Sequence, residues 1–197
     1  MTDADPVFAI GAADGRYRSK VSDLAPIVSE FGLMKYRVEV ECAWVLFLSQ
    51  SAGIKEFQPL SAADATFVQA IADDFNSADA ARIKTIEATT NHDVKAVEYF
   101  LKEKFAQRPS LQAVNEWIHF GCTSEDINNT AYGLMIKNAC EQSLWPQMQS
   151  LIDTLSTWAN DNAELPMLSR THGQTASPTT LGKEIKNVAA RLERQFT

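Results

Sequence analysis

Between Leu24 and Gln50, apolar residues stand at Ile27, Phe31, Met34, Val38, Ala43, Val45, Leu46 and Leu48, broadly at the spacing of one helical face. This predicts a first long helix, with Gly53 as its stop signal. Ser61 as N-cap with Asp64 at N3 predicts a helix to about Phe75, and Ser77 as cap predicts another to about Ala88. Val94 to Phe105 forms a further helical pattern, opened by Thr90 or Asp93 and closed by Arg108-Pro109. A brief helical stretch from Leu111 to Ile118 breaks at Gly121. Thr123 as N-cap with Asp126 at N3 then opens a much longer helical pattern.

Leu144, Met148, Leu151, Leu155 and Trp158 follow at spacings of 4, 3, 4 and 3, the seam of a helix packing nearly parallel to a bundle partner. Pro146 marks a kink or a restart. The last segment starts with Ser177 as N-cap and Pro178 at N1, and repeats Leu181, Ile185, Val188 and Leu192 on one face up to an uncapped Thr197. A face of that length needs other helices to cover it, so the chain is expected to be part of a longer one. No strand-type alternation of useful length stands out. The expected fold class is all-α: a small helical N-terminal domain over residues 1–110, then the beginning of a long-helix bundle, incomplete, over 111–197.

Composition narrows the class without changing this picture. Over 197 residues, 45% hydrophobic and 22% charged content with 8 Gly and 7 Pro excludes disordered and collagen-like chains. A net charge of −7 has the wrong sign for broad phosphate contact with nucleic acid, so any anion must be met by a local cluster. The N-terminus has no basic stretch followed by an apolar one, and no apolar run reaches the roughly 18 residues that span a bilayer. A cytoplasmic location without membrane attachment is expected. Cys42, Cys122 and Cys140 are odd in number and form no C-x-x-C pair, which suggests bystander thiols rather than disulfides or zinc ligands.

Polar residues concentrate in the helix breaks: GRYRSK at 15–20, TTNHDVK at 89–95, HFGCTSED at 119–126 and LPMLSRTHGQTASP at 165–178. Free N–H groups at a helix start favour anions, so Thr123-Ser124 and Ser177 could hold carboxylates or phosphates, although caps are ubiquitous and the purely structural reading comes first for both, most of all for Ser177. Arg16, Arg18 and Lys20 around Tyr17 form a basic knot, either a solvated arm or a phosphate-binding fork. His119 lies in an apolar stretch and is expected to be structural. His92 and His172 sit in polar breaks and are candidates for proton transfer near neutral pH. The three histidines are too far apart for a local metal pair, and neither a P-loop nor a nucleophile elbow is visible.

Taken together, GRYRSK, TTNHDVKAVEYFL, HFGCTSEDINNTA and LSRTHGQTASPTTLGKE resemble the adenylosuccinate lyase family of the fumarase/aspartase superfamily of helical lyases. The resemblance spans nearly the whole chain. It implies β-elimination of fumarate from adenylosuccinate, giving AMP, and from the succinylated aminoimidazole carboxamide ribotide (SAICAR), giving AICAR, in purine biosynthesis. It implies His172 as general acid, with Thr171 and Gln174 shaping its surroundings. Thr123 and Ser124 correspond to carboxylate donors on the succinyl side, and Arg16, Tyr17, Asn91, His92 and Asp93 to nucleotide-side contacts. The family is homotetrameric, with active sites shared between subunits and no cofactor or metal.

The family's loop with its serine base, near a Met-Pro and a Lys-x-Asn run, is absent from these residues and is expected downstream of Thr197. The chain alone is therefore expected to have no lyase activity. The alternatives are another superfamily lyase acting on a different succinyl adduct, or a non-catalytic helical assembly module on the same scaffold.

Overall fold

The computed structural model describes residues 6–51, 56–57 and 59–196, which form eight α-helices and one β-hairpin after a series of short 3-10 turns. The expected stop at Gly53 and the end at Thr197 lie outside the described residues.

The first predicted helix is two, α1 (Ala25–Val28) and α2 (Glu30–Gln50). Ser29 is extended between them, and its hydroxyl accepts the Gly32 N–H at 3.3 Å, capping α2. Only glycine fits at 32, because a Cβ there would stand 2.1 Å from the Ile27 carbonyl oxygen. Helix α3 (Ala62–Asp73) is capped by Ser61 as the sequence predicts, with the Asp64 N–H on its hydroxyl at 3.1 Å. Helix α4 (Ser77–Thr90) is capped by Asn76 instead of Ser77, in a reciprocal box with Asp79. Helix α5 (Asp93–Phe105) is capped by neither Thr90 nor Asp93 but by His92. Residues Pro109–Trp117 wind as 3-10 helix, and α6 (Ser124–Ala139) follows.

The chain forms two compact units, Met1–Ala139 and Cys140–Thr197. In the first, α2 runs through the centre. Its Met34, Val38, Cys42 and Val45 pack with Val68, Val97, Phe100, Leu101, Phe105 and Leu111, all nearly solvent-free. Burying each large side chain stabilises the unit by about 1.5–3 kcal/mol. A second cluster of Ile27, Tyr36, Ala131 and Met135 fastens α6 to α1 and α2.

In the second unit, a π-helical turn at Cys140–Leu144 runs without a break into α7 (Trp145–Asp161), and Pro146, which has no N–H to give to the ladder, sits directly after this irregular turn. Helix α8 (Leu181–Phe196) packs on α7 through small residues, with Ala159, Gly182 and Ala189 buried beside Ile152. The predicted seam is split: Met148 and Leu155 are half-buried, on the side of Ile152 and Ala159. Leu144, Leu151 and Trp158 are each about half exposed, because the single partner helix covers the neighbouring face.

Between α7 and α8 the chain forms an antiparallel hairpin, β1 (Pro166–Thr171) and β2 (Gln174–Thr180), where no strand was expected. Both strands are mostly exposed, and with neither face buried no period-two apolar pattern is needed. Ser177 and Pro178 therefore lie in β2 rather than at a helix start. The last helix begins at Leu181, where the Lys183 N–H reaches Thr180 Oγ1 at 3.2 Å. Among the described residues no helix is long and apolar enough to cross a membrane.

Candidate active site

In the first unit, the break between α4 and α5 is built by its own backbone. Asn91 adopts the left-handed conformation at φ 50° that ends α4. The next residue, His92, is extended, and its Nδ1 accepts the Lys95 N–H at 3.2 Å. This leaves Nε2 as the nitrogen available for other chemistry. Asp93 follows, with Oδ2 2.6 Å from Arg37 Nη2 and Oδ1 3.7 Å from His92 Nδ1. Burial works to raise the Asp93 pKa, but the Arg37 guanidinium and the Val94 N–H together hold it below the usual carboxylate range. Asn91, His92 and Asp93 line a cavity of about 350 Å³ with Arg37, Glu30 and Glu87.

Arg37 also donates from Nε to Asn128 Oδ1 on α6 at 2.9 Å, joining this corner to the helix that Thr123 and Ser124 open. There the Thr123 N–H donates to Asp126 Oδ2 at 2.7 Å, one half of the predicted capping box. The Thr123 side chain is exposed and that of Ser124 half-buried at the positive end of the α6 dipole, which favours an anionic group. His119 is engaged by Glu41: Nδ1 lies 2.5 Å from Oε1, and the backbone N–H donates to Oε2 at 3.0 Å.

Near the N-terminus the basic knot divides. Arg18 is tied to the Phe8 carbonyl at 3.1 Å and to Asp14 at 2.5 Å, so it shapes the turn. Arg16 and Tyr17 are exposed, with the Arg16 guanidinium 5.7 Å from the centre of the Tyr17 ring.

In the second unit, His172 and Gly173 form the two-residue turn of the hairpin, with φ 51° and 77°. Both positive angles belong to the turn type whose twist suits tight hairpins. Thr171 and Gln174 are the flanking pair, and His172 is exposed at the tip. A break in helix thus presents an imidazole on a short, backbone-paired support.

Sequence reasoning passed over Arg37, Glu41 and Asn128. A signal existed for two of them: Arg37 and Glu41 lie on the same stripe as Met34, Val38 and Val45, where apolar residues would be expected.

The chain belongs to a family of lyases, whose model matches residues 15–197. Within it, the chain is similar to the N-terminal portion of adenylosuccinate lyase. It is 56% identical to the adenylosuccinate lyase of Vibrio cholerae over 188 residues, and 56% identical to that of Escherichia coli over 189. The Haemophilus influenzae enzyme is 54% identical. Each comparison takes in 95% of this chain and 41% of the relative, so the chain spans about two fifths of the length of the curated relatives it matches.

Among solved structures it resembles a 3-carboxy-cis,cis-muconate lactonizing enzyme from Pseudomonas putida, with a TM-score of 0.63, 24% identity, and coverage of 88% of this chain and 37% of that one. A fumarate lyase from a Mesorhizobium species gives a TM-score of 0.63 at 23% identity, covering 88% of this chain and 39% of the other. These two likenesses bear on the fold, which is mostly helical and matches part of each of those structures.

Proposed function

We propose that this chain supplies the first part of an adenylosuccinate lyase acting in purine biosynthesis, on adenylosuccinate and on SAICAR. The observation that carries the reading is 56% identity to adenylosuccinate lyases along 95% of the chain.

The reaction removes a proton beside a carboxylate, stabilises the resulting dianion and protonates the departing nitrogen. His172, exposed on its turn, is the proposed general acid for that nitrogen. Thr123 and Ser124 hold the succinyl carboxylate at the start of α6, helped by its dipole. Arg16 and Tyr17 meet the phosphate, and Asn91, His92 and Asp93 line the nucleotide side. The catalytic base and the remaining donors come from polypeptide beyond these residues, and the working form is a cytoplasmic homotetramer with active sites shared between subunits. In support, Leu144, Leu151, Trp158 and Val188 leave an apolar surface that further helices could cover. No cofactor or metal takes part in the proposed chemistry.

The test compares the purified 197-residue chain with the complete polypeptide in an absorbance assay of adenylosuccinate cleavage. Turnover by the complete protein and none by the chain alone is expected. Turnover by the chain alone would refute the division of the site, and preference for argininosuccinate by the complete protein would move it to a neighbouring lyase class.

A further inference from the structure

Helix α2 carries two charged side chains on its buried face, Arg37 and Glu41, one helical turn apart, and they are 5% and 0% exposed. Arg37 reaches Asp93 Oδ2 at 2.6 Å with one nitrogen and Asn128 Oδ1 at 2.9 Å with another, so one guanidinium spans the starts of α5 and α6. Glu41 accepts the backbone N–H of His119 at 3.0 Å and stands 2.5 Å from its ring Nδ1. His119 has φ 61°, a left-handed conformation that a residue with a side chain keeps only when its surroundings enforce it.

We propose that Arg37 and Glu41 are positioning residues, which lock the 91–93 and 119–124 turns to one helix so that His92, Asp93, Thr123 and Ser124 share a fixed frame. The proposal rests on the lyase reading of this site. Buried charges are costly, and well-packed apolar residues of similar size often stabilise a core as well or better. Apolar contacts are non-directional, whereas a planar guanidinium and a two-oxygen carboxylate dictate where their partners' backbones lie. Both charged groups end on the turns that carry the candidate site residues, where direction matters most for transition-state geometry.

Arg37→Lys tests the first anchor in the complete polypeptide, because a single ammonium cannot reproduce the fork. Expected is a fall in kcat/KM of about 100-fold, the cost of roughly 1 Å of misplacement, with a higher KM from the displaced nucleotide-side turn and a lower kcat from the displaced start of α6. Glu41→Gln, which keeps the shape and one acceptor, should recover most of the activity that Glu41→Ala loses. In the 197-residue chain, the same substitutions should speed hydrogen exchange of the amides at 92–95 and 119–126 by about ten-fold, leaving α3 unchanged.

Folded Arg37→Lys with kcat and KM within about two-fold of the parent overturns the proposal, as does equal loss in both Glu41 variants. If Arg37→Lys does not fold, Asn128→Ala, which removes only the Nε acceptor, takes its place under the same criteria. A parent polypeptide without turnover refutes the lyase reading instead, and the exchange measurement then decides the anchors by itself.

Discussion

Replacing Gly182 by alanine would set a methyl carbon 2.2 Å from the carbonyl oxygen of Ala159 and 2.7 Å from the backbone of Ala163. Both obstacles are main chain, and ordinary contact begins near 3.4 Å, so α7 and α8 must part by about 1 Å. Overpacking of this kind costs about 1–3 kcal/mol, and rigid neighbours put this site at the upper end. Alanine regains up to about 1 kcal/mol through helix propensity and a less free unfolded chain. The collision wins, leaving a net loss of about 2 kcal/mol, or about 30-fold in the folding equilibrium.

For a unit the size of Cys140–Thr197, that lowers the melting midpoint by about 8–16 °C. The displacement also strains the Gly182 N–H to Asn162 carbonyl bond of 3.0 Å and the Leu181 to Leu165 bond of 2.9 Å at the base of the hairpin that carries His172. Urea and thermal unfolding followed by circular dichroism measure the effect, with exchange of the α8 amides reporting its location. Gly133→Ala is the matched control, since open space surrounds that helical position and a gain of about 0.5–1 kcal/mol is expected. An unfolding midpoint for Gly182→Ala equal to the parent's would refute the close-approach argument.

Three further predictions follow. In the complete polypeptide, His172→Ala should lower kcat by about 100-fold or more, the usual range for a general acid, and a near-parental kcat would remove His172 from that proposed role. Arg16→Ala should raise KM with little change in kcat, since the proposed phosphate contact would be made equally in the ground and transition states; an unchanged KM in folded protein would return Arg16 to a solvated arm. Burial of Glu98 acts to raise its pKa, but Lys95 at 2.7 Å and Lys102 at 3.2 Å outweigh it and hold the carboxyl below the ordinary glutamate range. A depressed folded-state pKa contributes stability above the ordinary range that is lost as pH falls through the depressed value. Glu98→Gln should therefore flatten the acid side of a urea-midpoint against pH curve, and an unaltered acid limb would sink the assignment.

The helices were legible where cap and periodicity agreed. Ser61 with Asp64 shows it, since the cap that the spacing predicts is the one that forms. The caps of α4 and α5 fall on Asn76 instead of Ser77 and on His92 instead of Thr90 or Asp93, because several neighbouring side chains can serve and the final backbone path selects among them. His92 shows the consequence: the sequence marks a histidine in a polar break, whereas the fold commits Nδ1 to the Lys95 amide.

The hairpin was not legible as strand, because its exposed faces leave hydrophobicity no reason to alternate. The two-residue His-Gly turn was the available cue, overshadowed by a serine-proline pair that resembles a helix start.

By itself, the sequence determined the helical class, the breaks where polar chemistry gathers, and a family likeness written in four local strings. Those features depend on residues a few positions apart, and short-range physics is enough to express them. Only the tertiary structure decided that Arg37 would reach Asp93, 56 positions away, and Glu41 reach His119, 78 positions away. Such pairings exist because burial makes an unpartnered charge too costly to keep, a condition that arises once helices from distant parts of the chain have packed together.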